Sequence, residues 1–230
     1  MEEVKKVCET YHEAPKEAAN HRRTISIDEN TGIQALERKS PTKTMEPGKP
    51  VRIEFEYLRH GTLSLIANFD VVSGQVVCPS IGETRNEQDF CEHIRQLILS
   101  DPAAEEWVFV ADQLNTHKSE SLVRLVSELC GLHHDLGVKE KTGVLKSMES
   151  RTEFLKDSSH AIRFVYTPKH CSWLNQIEIW FGILTKKLLK RGNFSSKDIL
   201  KNKLIDFIDY FNKTMAKPFK WTFNGLPLKA

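Results

Sequence analysis

No stretch of this 230-residue chain approaches the length and apolarity of a membrane span, and its charged start lacks the apolar core of a secretory leader. Cysteine is present but unorganised. Cys8, Cys78, Cys91, Cys130 and Cys171 are odd in number, far apart and without a Cys-x-x-Cys pair. That argues against a disulfide framework or a zinc ribbon and suits reduced thiols in a cytoplasm-like compartment. Cys130 with His133 and His134 could suggest a metal, but a helix end with a buried thiol accounts for them more simply. Internal repeats and low-complexity tracts are missing. So is a strong net charge: at +2, any nucleic-acid surface must come from local patches. What is there, 40% hydrophobic and 28% charged residues, reads as one globular unit with a full core.

Residues 1–23 are charged, with a short helical pattern around Val4–Tyr11 before Pro15, and read as a peripheral polar arm. Thr24–Asp28 predicts a short strand, and Thr31-Gly32 a turn. Arg52–Leu58 alternates strictly, His60-Gly61 predicts another turn, and Leu63–Val71 and Gln75–Val77 complete an antiparallel meander. Asn86–Leu99 predicts a helix with Phe90, Ile94, Leu97 and Ile98 on its apolar face. The continuous apolar run Trp107–Ala111 is what a strand buried on both faces requires, and it stops at Asp112. Ser119–Leu132 is helical. Lys139–Ser159 is polar and poorly periodic and reads as a surface insertion. Ile162–Tyr166 is a strand, Lys197–Asn212 a helix, and Phe219, Trp221 and Phe223 in the tail pack irregularly. The order implies an α/β chain with a mixed sheet and helices on its faces.

The most informative stretch lies between Tyr166 and Asn193. Pro168 breaks the chain after a strand. Leu174, Ile177, Phe181, Leu184 and Leu188 then fall on one helical stripe. Asn175 and Glu178 share another face at the helix start, and Lys186, Lys187, Lys190 and Arg191 crowd its end. Asn175 and Glu178 can be read as a capping box. They can also be read as a carboxylate held at a site, with Asn175 orienting it or a metal-bound water. Asp28 and Asp112 likewise stand at strand exits, where sites of such sheets are built. Three carboxylates suit a hard, oxygen-seeking ion, Mg²⁺ or Mn²⁺. Two such ions about 3.5–4 Å apart would bracket a phosphodiester. His117 and Lys118 follow Asp112 closely enough to touch substrate phosphate, or simply lead into a helix capped by Ser119. Trp173 and Trp180 could stack on a base or fill the core.

Three blocks carry a resemblance. Asp28-Glu-Asn-Thr-Gly-Ile-Gln-Ala-Leu-Glu-Arg38 resembles the first-aspartate block of DDE transposases of the mariner superfamily, in particular the bacterial insertion-sequence branch (type six-thirty). Val110-Ala-Asp-Gln-Leu-Asn-Thr-His-Lys-Ser119 resembles the second block, and Tyr166–Phe194 the third. Ala216–Thr222 is similar as well, so the likeness spans about residues 24–228. It implies a ribonuclease-H-like fold over 24–230, with Asp28, Asp112 and Glu178 binding two Mg²⁺ or Mn²⁺ ions. It also implies hydrolytic cutting of double-stranded DNA at element ends by a homodimer, and attack of the freed 3′-hydroxyl on target DNA at a TA step. Asn175 and His117 would support the carboxylates, and Lys118, Lys186, Lys187, Lys190 and Arg191 would track phosphates.

Two departures stand out. Gln113 replaces the usual Asn beside the second aspartate, and the Lys139–Ser159 stretch widens the interval to Glu178. Such proteins usually carry N-terminal helix-turn-helix units, which residues 1–23 cannot build, so the arm reads as the stub of a missing DNA-binding region. Two other functions stay open: a metal-dependent nuclease that cuts without joining, and an inactive DNA-binding or regulatory remnant.

Overall fold

The central apolar run dictates the layering. In the computed structural model, which describes residues 2–40, 45–50 and 54–226, Glu106–Ala111 forms a strand whose alternate side chains serve two different cores. Trp107, Phe109 and Ala111 enter one cluster, and Val108 and Val110 the other. This is the period of two expected of a strand buried on both faces.

That strand is β4 of a five-stranded mixed sheet. β1 (Arg22–Arg38), β2 (Tyr57–Asp70) and β3 (Val76–Gly82) form an antiparallel meander, and β5 (Ile162–Tyr166) follows β4. The spatial order is β3-β2-β1-β4-β5, with β1, β4 and β5 mutually parallel. One face is covered by α2 (Glu87–Ser100), α3 (Glu120–Leu129) and α4 (Met148–Lys156) around Ile25, Ile27, Phe109 and Phe164. On the other face α1 (Glu2–Glu17) lies over Val108, Val110 and Val165, while α5 (Gln176–Lys187) and α6 (Lys197–Thr214) cover Ala35, Leu65, Ala67 and Phe69. This is the ribonuclease-H-like architecture expected from the sequence.

Three sequence expectations are corrected. The two glycine turns are bulges inside one long hairpin, so the meander has three strands rather than four. Thr31 and Gly32 together oppose Ser64, and His60 and Gly61 oppose Ala35. Gly32 (φ 67°) and Gly61 (φ 102°) supply the left-handed backbone that each bulge needs. Part of the expected Arg52–Leu58 strand lies outside the described residues; β2 itself begins at Tyr57.

The Lys139–Ser159 stretch is not a surface insertion. It folds into α4 and a short turn, and buries Leu145 and Leu155 completely against the α3 side of the core. Its few apolar residues were too sparse to show a period. The N-terminal arm is likewise not peripheral: α1 runs through Pro15 and buries Val7, Cys8, Tyr11 and Ala14 on the sheet. Pro15 forfeits its own amide bond to the Tyr11 carbonyl, and the helix ends two residues later. The tail packs irregularly as expected, with Phe219 stacked on Phe69 at 4.6 Å and Trp221 edge-on to Tyr11 at 5.0 Å.

Candidate active site

Strand register brings the first two carboxylates side by side. Ser26 pairs with Val110 across the parallel β1–β4 ladder, so Asp28 and Asp112, each two residues further on, come level. Neighbouring strands are about 4.8 Å apart. Asp28 shares the parity of Ser26 and faces α5, while Asp112 stands just past the end of β4.

The start of α5 is fixed by side chains from elsewhere in the chain. The Ser26 hydroxyl accepts the Ile177 N–H at 2.8 Å and donates to Asn175 Oδ1. Tyr11 of α1 donates its hydroxyl to the Leu174 carbonyl at 2.9 Å and accepts the Gln176 N–H at 3.3 Å. Two of the amides that a helix start leaves without partners are thus satisfied by β1 and α1. Asn175, fully buried, donates to the Ile27 carbonyl at 2.9 Å and to Asp28 Oδ2 at 3.2 Å.

The capping-box reading of Asn175 and Glu178 is therefore not what forms: the Asn175 side chain makes no cap bond. Asn175 orients Asp28 instead of Glu178. Ser26→Ala removes a helix cap and the hydroxyl donor to Asn175 Oδ1, and should cost about 1–3 kcal/mol in a denaturant titration. A midpoint and slope equal to wild type would show that this hydroxyl does not hold α5.

Asp112 is organised by His117. The imidazole is completely buried, packed 4.4 Å from Phe90, and its Nδ1 lies 2.7 Å from Asp112 Oδ1. Its Nε2 lies 3.0 Å from Glu29 Oε2, and the Glu29 side chain is itself buried. Burial alone would lower the imidazole pKa, but hydrogen bonds to both carboxylates outweigh it and push it up to about 10. His117 is thus an imidazolium with both N–H groups engaged. Fully buried, it supports Asp112 and Glu29 from within the fold. Burial works to raise Asp112, but the His117 hydrogen bond and charge prevail and hold it below the ordinary carboxylate range. Asp28 goes the other way. Burial first, then the charge of Asp112, raises it to about 7, against opposition from the Glu29 N–H and His117.

Glu178 is exposed on the first turn of α5. Burial of part of its surface and the charge of Asp112 raise its pKa, so Asp112 is electrostatically coupled to both other acids. Among the described residues no three His, Cys, Asp or Glu side chains already form a metal-holding group.

The remaining candidates separate by location. Lys118 is buried, with Nζ 3.2 Å from Gln113 Oε1 and 4.6 Å above the Tyr166 ring. Gln113 uses its extra methylene to reach the Thr167 carbonyl at 2.9 Å, tying the exits of β4 and β5 together. Lys186 and Lys187 close α5, and Lys190 and Arg191 follow in a short turn; all four are exposed. Lys186 stands about 12 Å along the helix from Glu178, so this set is not at the carboxylates. Trp180 is a core residue and Trp173 is 53% exposed. Sequence reasoning missed Tyr11, Ser26 and Glu29. Only Glu29, adjacent to Asp28, carried a visible signal.

The site can be compared with known proteins. A family model described as DDE superfamily endonuclease matches residues 23–201. The Mos1 transposase paired-end complex with left transposon end aligns at TM-score 0.58 and 15% identity, over 98% of this chain and 57% of that one. The Mos1 strand transfer complex aligns at 0.56 and 14%, over 91% and 53%. The Mos1 transposase catalytic domain with Raltegravir and Mn aligns at 0.55 and 13%, over 98% and 86%. The chain thus spans less than two thirds of the transposase in the first two complexes and most of the isolated catalytic domain. At such identities the likeness is one of fold. No curated protein sequence matches the chain.

Proposed function

Because this chain belongs to the DDE superfamily of endonucleases, we propose that it is the catalytic domain of a mariner-type DNA transposase of the bacterial insertion-sequence branch (type six-thirty). In this reading Asp28, Asp112 and Glu178 bind two Mg²⁺ or Mn²⁺ ions, and a homodimer cuts element ends and joins them to target DNA. The observation that carries it is the register that sets Asp28 in β1 level with Asp112 at the exit of the adjacent parallel β4, with Glu178 coupled to Asp112 from the start of α5. The donor set fits the metal: all three groups are oxygen donors, and His117, protonated at both nitrogens, does not compete as a ligand. The similar Mos1 catalytic domain has been determined with Mn and with Mg.

When bound, such ions supply activation of the attacking oxygen and charge neutralisation at the leaving oxygen. The chain's own residues prepare the place. Asn175 fixes the rotamer of Asp28 by donating to Oδ2, and His117 keeps Asp112 ionised at neutral pH and pins its Oδ1. Tyr11 and Ser26 hold the helix that carries Glu178. Lys118 supplies a buried positive charge beside Asp112. The exposed cations at the end of α5 track phosphates further along the duplex.

Binding of a divalent ion to the folded state should raise the melting temperature by mass action, by the equivalent of about 2.7 kcal/mol at a hundredfold excess over Kd. Mg²⁺ or Mn²⁺ titration that leaves the wild-type melting temperature unmoved would count against the site. Metal-dependent nicking of duplex DNA tests the enzyme itself. Strand-transfer products from a precut end separate a transposase from a nuclease that only cuts. Metal and DNA binding without either product would mark a regulatory remnant.

A further inference from the structure

Lys118 has neighbours that the site described so far leaves unused. Its side chain is more than nine-tenths buried, with Nζ 4.6 Å over the Tyr166 ring. The Nζ of Lys156, at the end of α4, lies 5.9 Å from the centroid of the same ring. Lys169, exposed in the loop after β5, joins the same electrostatic neighbourhood. Burial first, then the charge of Lys156 and, less strongly, that of Lys169, hold Lys118 below the usual lysine range, while Glu3 and Asp112 oppose them. A cavity of about 400 Å³ opens at this edge of the sheet, lined by Glu3, Lys6, Lys156, Arg163 and Tyr166. Two acids from the first turn of α1, Glu2 and Glu3, line it as well, and Glu3 Oε1 lies 3.7 Å from Lys156 Nζ.

We propose that Lys118, Lys156 and Lys169 form a phosphate seat beside Asp112, which takes a phosphodiester of the DNA strand entering the site, and that Glu3 fills this seat in the free chain. The proposal rests on the DNA-cutting reading above and adds to it a binding position and a built-in competitor. Clustered like charges in a partly desolvated place are unfavourable until an anion enters. A carboxylate answers that need incompletely, whereas a phosphodiester brings two anionic oxygens that several donors can share. The fixed position of Lys118, held by Gln113 and the Tyr166 ring, makes the seat selective for where a phosphate lies rather than for which base it carries. It is also distinct from the cations at the end of α5, which follow Glu178 by about 12 Å along that helix.

The test uses the full chain and a labelled random-sequence duplex in EDTA, so that nothing is cut, with anisotropy read across a salt series. Lys156→Gln with Lys169→Gln should weaken binding about tenfold near physiological salt and reduce the magnitude of the log–log salt slope by about 2. Glu3→Gln should tighten binding by about threefold or more, since a competing anion is removed. The control pair Lys201→Gln with Lys213→Gln, exposed on α6, should do much less. The seat is overturned if the first pair binds like wild type or loses no more than the control pair. The competitor is overturned if Glu3→Gln leaves affinity unchanged. Should the double Gln variant fail to fold, Lys156→Arg with Lys169→Arg serves instead: it should keep the wild-type slope, and a lost slope in a folded Arg variant overturns the seat. Unchanged binding by the double variant with normal nicking by wild type removes the seat and leaves the enzyme; weakened binding by the double variant beside a wild type that never nicks does the reverse.

Discussion

Glu178→Gln is expected to reduce metal-dependent cleavage of duplex DNA by at least about a thousandfold while leaving the unfolding free energy within about 0.5 kcal/mol of wild type. The large effect follows from charge. A neutral amide is a poor ligand for a hard divalent ion, and the transition state of phosphoryl transfer depends on that ion for its electrostatic stabilisation. The small effect follows from what the structure shows Glu178 not to do. Its carboxylate is exposed, and the amides of the first turn of α5 are satisfied by Tyr11 and Ser26. Gln is also as good a helix former as Glu. A single-turnover nicking assay alongside a urea titration decides the matter. Wild-type nicking by the variant would mean that the third acid lies elsewhere; a loss of several kcal/mol would make Glu178 structural.

Asp28→Asn should reshape the dependence of stability on pH in the absence of metal. In the fold Asp28 titrates near 7, against an ordinary value of 3.8. Between those two values the folded chain keeps a proton that the unfolded chain has released, so folding stability falls as pH rises from about 4 to about 7 and the loss is complete above that. The displacement amounts to a penalty on the order of 2–4 kcal/mol at pH 8. The amide of the variant cannot ionise, so the variant should gain on wild type by that order between about pH 4 and pH 8. Mg²⁺ should narrow the gap by stabilising wild type alone. Denaturant titrations at several pH values in EDTA provide the check, and parallel profiles for the two proteins would refute the burial of an uncompensated acid at this position.

How much of this was legible in the sequence depended on whether the signal was local. The β4 run, α2, α3, α5 and α6 were visible because each carries a complete hydrophobic period. Asp112 was visible because it stands where the β4 run stops, whereas Asp28 lies within β1, which continues to Arg38, and Glu178 within the first turn of α5. The bulges were not, since a glycine with positive φ serves a turn and a bulge equally well, and only the cross-strand partner tells them apart. α4 was hidden by its low apolar content, although Leu155 is wholly buried. The functions of Asn175 and His117 were half legible. Their types and positions suggested support for the acids, but Asn175 turned out to serve Asp28 through β1, and His117 to bridge Asp112 and Glu29. Tyr11 gave no signal, because its partners are more than 160 residues away.

That distance has a consequence for how the protein comes into being. The α5 start is joined to Tyr11 and to Ser26 across separations of 165 and 151 residues. Contacts so remote in sequence close late, after the loops between them have been brought to order. A ribosome emitting this chain from its N-terminus would release α1, the β-meander and β4 well before α5 exists to dock on them. Asp28 and Asp112 can meet in such an intermediate; Glu178 cannot. The third acid of the proposed site is therefore the last to be placed, in the same step that docks α5 on the N-terminal helix.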